Sequence, residues 1–293
     1  MKFLTYTHQN QDVLGVLSSD GTSVFPLSSL GYSFSCMEDW IEAYSTSLQK
    51  ELLKKISSST AGIPLSHVAL AAPIPHPRHD IICVGHNYLE HAKESMRFRG
   101  QEYVPLAYPT YFGKRVNRAI GHGEAIPAHS HITSMLDYES ELAVVIGKPC
   151  SRVQPADVFS YIFGYTIVND VTARDLQNNH GGQFYFGKGL DGFTPMGPYL
   201  VTADEFPSPL HLSVTSRVNG ELRQSGNTND FIFDIPFLIS ELSQGICLMP
   251  GDIIATGTPM GVGMGFSPPK FLSPGDEITC EIEGIGILSN PIR

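Results

Sequence analysis

The sequence predicts a mainly β protein with some α-helix. Three observations carry that expectation: many short apolar, β-branched runs, few stretches with sustained helical spacing, and 28 glycines with 21 prolines, many at the breaks between runs. A chain of 293 residues can bury a sizeable core, as one large domain or as a main domain with a small companion. Hydrophobic residues at 42% and charged residues at 16% belong to an ordinary soluble globule. A formal net charge of −10 argues against nucleic-acid binding, because no basic stripe is available to neutralise phosphates. An anionic substrate would have to be attracted by arginines, lysines or a metal inside a local site. The five cysteines (Cys36, Cys83, Cys150, Cys247 and Cys280) are odd in number, widely spaced and without a C-x-x-C pair, which fits a reducing compartment. Residues 1–8 lack the apolar core of a signal peptide, and no 18-residue apolar run occurs. A cytoplasmic protein with no membrane association is expected.

Taken in order, residues 1–30 alternate apolar runs with turn signals such as Asp20-Gly21, which predicts a small meander of strands. Ser35 and Glu38 have capping-box spacing, and Ile41, Tyr44, Leu48 and Leu52 recur at helical intervals, so one helix is expected there. Trp40, the only tryptophan, is expected to pack on that helix. The three prolines within residues 71–78 read as a linker. They divide the chain into a small N-terminal α+β domain, 1–75, and a main domain, 76–293.

Ile81–Gly85 has the pattern of a buried strand, and the segment after it carries His91 and Glu94. If that segment is helical, the two touch at i and i+3, giving a general base with an orienting carboxylate, or merely an exposed ion pair. Residues 95–110 are polar, aromatic and proline-interrupted, as expected of a lid or binding loop. In Leu136–Gly147, strand alternation places Asp137, Glu139 and Glu141 on one face. Buried together they would need a cation, and all-oxygen ligands suit magnesium, manganese or calcium better than zinc. The competing reading is an edge strand with its acidic face in water.

Tyr161–Val168 is a second strand and runs into Asn169-Asp170. Asp170 either completes an ion site begun by Glu139 and Glu141 or caps the helix that follows. In that helix Arg174 and Gln177 share a side, suited to a planar carboxylate or simply solvated. Lys188, between two glycines, either reaches into a site or decorates a turn. Asn219-Gly220 predicts a type I′ hairpin, and Asp252–Thr256 a strand ending at Gly257-Thr258. The run Gly261, Gly263, Gly265 resembles a phosphate loop only superficially. It lacks the G-K-[ST] ending, so no nucleotide is expected.

Four blocks in order resemble the fumarylacetoacetate hydrolase family: GHNYLEHAKE (85–94), DYESELAVVIGK (137–148), GYTIVNDVTARDLQ (164–177) and PGDIIATGTP (250–259). The resemblance spans about residue 70 to the carboxyl terminus. It implies a mixed β-roll, a homodimer and a Mg2+ or Mn2+ ion held by Glu139, Glu141 and Asp170. It also implies that Arg174, Gln177, Lys188 and Thr258 hold a 2-oxo carboxylate and its developing enolate. His91 and Glu94 match a dyad on a lid helix, whereas Asp137 matches no ligand position. Larger members carry another acidic ligand before the lid histidine, where Val84-Gly85 offers none. The chain is therefore more similar to the smaller bacterial members. The expected function is metal-dependent hydrolysis of a carbon–carbon bond in a short 2,4-dioxo acid, with Lys188 charge-stabilising and His91 activating water. Oxaloacetate decarboxylation is the alternative, then isomerisation of a 2-oxo dicarboxylate. A reading from another class is an inactive dicarboxylate-binding or scaffolding protein.

Overall fold

The computed structural model describes residues 1–293. In chain order the strands are β1 Lys2–His8, β2 Gln11–Leu17, β3 Ser23–Pro26, β4 Ile63–Pro64, β5 Ala69–Leu70, β6 Ile81–Gly85, β7 Thr110–Lys114, β8 Leu136–Asp137, β9 Ser140–Ile146, β10 Ile162–Asn169, β11 Thr172–Ala173, β12 Met196–Thr202, β13 Ser213–Val218, β14 Glu221–Asn227, β15 Ile253–Ala255, β16 Glu277–Ile282 and β17 Gly286–Pro291. The helices are α1 Met37–Ala43, α2 Thr46–Ser58, α3 Leu89–Phe98, α4 Arg174–Asn179, α5 Phe184–Lys188 and α6 Ile235–Ser243.

β9 organises the rest. Its residues are buried on both sides, so it needs cover on both faces. Leu142, Val144 and Ile146 enter one core with Val214, Ile278 and Leu288 of the four-stranded sheet β14-β13-β16-β17. Ala143 and Val145 enter a second core with Phe3, Phe163 and the α1 residues Trp40 and Ile41. The long sheet runs β4-β3-β2-β1-β12-β10-β9-β15-β6-β7, with β5 on β1. Of its pairings only β15–β6 is parallel. The expected mainly β architecture is present. Asn219 and Gly220 both have positive φ between β13 and β14, as a type I′ turn requires.

Two expectations are corrected. Residues 35–58 hold two helices, not one, and the Ser35–Glu38 capping box does not form. α1 begins after Cys36, and the working cap is Ser45, whose hydroxyl accepts from the Leu48 N–H at 3.2 Å at the start of α2. The proline segment is not an exposed linker either. Residues 71–75 are buried, with the Ala71 N–H donating to Thr5 O and Thr5 Oγ1 to Pro73 O. β1 pairs with β12 through Lys2–Val201 and Phe3–Leu200, so residues 1–75 extend the same sheet. All five cysteines are free, and no helix is long and apolar enough to cross a membrane.

Trp40 is fully buried, its ring 5.3 Å from Phe3 and 5.4 Å from Phe34, in the core where α1 meets the sheet. Trp40→Ala is expected to lower unfolding free energy by about 3–5 kcal/mol, read from urea denaturation, since it leaves a cavity that a close-packed core cannot refill.

Candidate active site

β9 and β10 pair so that Glu141 lies opposite Val168 and Ser140 opposite Asn169. This register brings the start of β9 beside Asp170, the residue after β10. The expected continuous strand through Asp137–Gly147 is interrupted: β8 ends at Asp137, β9 begins at Ser140, and Tyr138 and Glu139 belong to neither. The interruption is held by side chain and backbone. Asn169 Oδ1 accepts the Glu139 N–H at 2.9 Å, and the Asp170 N–H donates to Glu139 O at 2.8 Å. Carboxylate oxygens of Glu139, Glu141 and Asp170 consequently lie within 4.8 Å of one another, all buried.

Cations crowd the three. Lys188 Nζ donates to Glu139 Oε2 at 2.7 Å and to Asp170 Oδ2 at 2.6 Å. Lys188 is the last residue of α5, not part of a free loop, and its ammonium sits 5.1 Å from the centre of the Phe112 ring. Lys114 Nζ lies 2.8 Å from Asp170 Oδ1, an ion pair off the line of a hydrogen bond. Arg174, the first residue of α4, donates from Nε to Asp137 Oδ2 at 2.9 Å, with one Nη 2.7 Å from Glu139 Oε1. Asp137 thus reaches the cluster through Arg174.

These contacts separate the two glutamates. Burial would raise Glu139, but the charges of Lys188 and Arg174 hold it well below the usual carboxylate range. Burial pushes Glu141 well above that range, the charges of Asp170 and Glu139 add to it, and only the Gly257 N–H, 2.8 Å from Oε2, and the more distant Lys188 oppose. Burial alone would lower Lys188, yet Asp170 and Glu139 hold its ammonium above the ordinary value.

The glycine run lies against this cluster. Gly261 N–H donates to both Glu94 oxygens at 3.0 and 3.2 Å, and Gly263 and Met264 N–H donate to Asp137 at 2.6 and 3.1 Å. A Cβ on Gly265 would stand 1.8 Å from Glu94 Oε1, so only glycine leaves room for that carboxylate. Glu94 lies 3.2 Å from His91 Nδ1. Because Glu94 is otherwise an acceptor, the proton of this contact belongs on Nδ1, leaving Nε2 with a lone pair. Thr258 Oγ1 donates to Ser140 O at 2.9 Å and accepts from Gln224 Nε2 at 2.7 Å. Gln177 Oε1 lies 3.5 Å from Arg174 Nη1.

His91, Glu139, Glu141, Arg174, Gln177, Lys188 and Thr258 line one cavity. With Glu94 and Asp170, every residue singled out as a candidate is buried, and none lies on a solvated helix or strand face. α3 continues to Phe98, so the first four residues of the expected lid loop are helical. Lys114, His86, Ser95, Arg99 and Phe112 were not singled out from sequence. Ser95 and Arg99 continue the His91 spacing and could have been found by extending the helix; Lys114 carries no local signal, since only β6–β7 pairing brings it to Asp170.

The residues fit a divalent cation. The buried carboxylates of Asp137, Glu139 and Asp170 are paired with the buried cations of Lys114, Arg174 and Lys188, whereas that of Glu141 is paired with none. Asp170 Oδ1 has no aligned hydrogen bond, and the ligand set is wholly oxygen, suited to a hard ion.

The chain resembles known proteins along most of its length. Oxaloacetate tautomerase YisK of Bacillus subtilis (strain 168) is 54% identical over 228 residues, 78% of this chain and 74% of that protein. The structure of a fumarylacetoacetate hydrolase from psychrophilic Exiguobacterium antarcticum superposes with a TM-score of 0.83 at 37% identity, covering 100% of this chain and 99% of that one. Maleylpyruvate hydrolase from Sphingobium sp. SYK-6, in complex with manganese(II) ion and pyruvate, superposes with a TM-score of 0.80 at 30% identity, covering 100% and 98%. The family model described as fumarylacetoacetate (FAA) hydrolase C-terminal matches residues 80–293, and the chain belongs to the fumarylacetoacetate hydrolase family.

Proposed function

We propose that the protein is a divalent-cation-dependent enzyme that interconverts the enol and keto forms of a short 2-oxo dicarboxylate, oxaloacetate in the first instance. The observation that carries this reading is a single cavity lined by Glu139, Glu141 and His91, joining a sink for enolate charge to a proton-transferring group. Identity of 54% to an oxaloacetate tautomerase supports tautomerisation among the reactions of an enolate. The order expected from sequence is thereby changed, since hydrolysis stood first there and isomerisation third.

Magnesium or manganese, held by Glu139, Glu141 and Asp170, supplies Lewis acidity toward the 2-oxo acid. Arg174 pairs with the substrate carboxylate, and the Gln177 amide orients it in the same plane. Lys188 places positive charge where the 2-oxo oxygen becomes anionic. His91 accepts the C3 proton at Nε2 and returns a proton to the enolate oxygen, or runs the same transfer in reverse, so the substrate's composition is unchanged. Glu94 orients the ring and stabilises the imidazolium. α3, which carries both, also lines the cavity through Ser95 and so limits the access of bulk water to the enolate.

A second reading is hydrolysis of a 2,4-dioxo acid, in which the His91–Glu94 pair deprotonates water instead of carbon. The maleylpyruvate hydrolase neighbour favours it. Ultraviolet decay of enol-oxaloacetate without release of pyruvate supports tautomerisation. Decay at the spontaneous rate by cation-loaded protein, together with pyruvate release from an acylpyruvate, would replace it with hydrolysis.

Chelation of the divalent ion is expected to remove activity, and manganese to restore it. Glu141→Ala is expected to abolish both the activity and the manganese-induced rise in melting temperature. His91→Ala is expected to lower kcat by about 10²–10⁴-fold while leaving that thermal shift intact, because a proton-transferring group contributes to rate and not to ion binding.

A further inference from the structure

His91, Ser95 and Arg99 are spaced i, i+4, i+8, and all three line the cavity. They form one face of α3 and its end, so the helix runs along the cavity with its base at one end and an arginine at the other. Four residues advance a helix by about 6 Å, and helical side chains lean back toward the N-terminus, which carries the Arg99 guanidinium over the turn that holds Ser95. Ser95 is fixed in place, its hydroxyl 2.9 Å from His86 Nε2, and burial lowers His86 to about 4, with the charges of His91 and Arg99 adding to the effect, so this ring is neutral.

Arg99 differs from the cavity's other cations. Arg174 is paired with Asp137 and Glu139, and Lys188 with Glu139 and Asp170, whereas Arg99 makes no ion pair. It stands at the rim, exposed to solvent while lining the cavity, and its charged neighbour is the like-charged Arg174. An arginine so placed is left without a carboxylate partner from its own chain.

On the enolising reading above, we propose that Arg99 is the specificity-determining residue for the substrate's second carboxylate, the one remote from the 2-oxo group. The near carboxylate and 2-oxo oxygen lie toward Glu139, Glu141 and Arg174, the carbon that exchanges its proton lies under His91, and the far carboxylate closes on Arg99. The pair also ties substrate to the lid, since Arg99 ends the helix that carries His91 and Glu94.

The test compares malate with lactate, which share the 2-hydroxy acid end and differ in the second carboxylate. Binding is measured by calorimetry on manganese-loaded protein, beside the KM for oxaloacetate. Wild type is expected to prefer malate by at least about tenfold. Arg99→Gln is expected to weaken malate by about 10–100-fold, the range for losing a charged hydrogen-bonded pair, with lactate unchanged and KM for oxaloacetate raised in step. Arg99→Lys, which keeps the charge, is expected to recover part of the preference. Equal weakening of malate and lactate, no weakening of either, or a wild type indifferent to the second carboxylate overturns the proposal. A fall in melting temperature with the malate-to-lactate ratio intact assigns Arg99 to the helix end alone, which also overturns it. Wild-type preference for malate without turnover of oxaloacetate instead defeats the enolising reading and leaves the assignment of Arg99 standing.

Discussion

Like charges placed together out of water are the constraint on which this molecule is built. Four carboxylates converge at the open end of β9, and each would cost several kcal/mol to desolvate if left unpaired. The fold answers from three directions. α4 and α5 deliver Arg174 and Lys188, β7 delivers Lys114, and the segment from Gly257 to Met264 turns its N–H groups toward Glu94, Asp137 and Glu141. Compensation is still incomplete, and it is least complete at Glu141. A site in this condition is prepared for one more positive charge, which is the property a cation-dependent enzyme of 2-oxo acids requires.

The glycine-rich segment acquires its meaning from that charge. Its small residues bring backbone donors to carboxylates, and at Gly265 they leave space for one. His91 is therefore positioned by a chain of contacts that runs from loop backbone through Glu94 to Nδ1. Glu94, Asp137 and Glu141 all accept from one stretch of backbone, which fixes the imidazole relative to the acidic cluster.

Much of this was legible in the sequence because strand and helix periods are local. Alternation along residues 137–147 put three acids on one side, i and i+3 spacing joined His91 to Glu94, and a strand ending in Asn169-Asp170 placed an acid at its end. What escaped were features that depend on neighbours distant in sequence. The break at Tyr138-Glu139 is one: the Glu139 N–H is taken by the side chain of Asn169, thirty residues away, instead of by a strand neighbour. The same holds for Lys114, which reads as one more residue of a short strand until β6 and β7 are paired. The two-helix break at Tyr44-Ser45 has a local cause: α1 ends at Ala43, and the Ser45 hydroxyl accepts the Leu48 N–H to start α2.

The pairing of β1 with β12 gives the amino-terminal segment a structural duty. Phe3 is shared between Trp40 on α1 and Phe163 on β10, the strand that runs to Asp170. Cut away residues 1–75, and β12 is left as a bare strand rim with an aromatic pocket open beside it, a surface that invites self-association. The end of the molecule that holds the acidic cluster is therefore tied through one sheet to a segment that contributes no residue to its cavity.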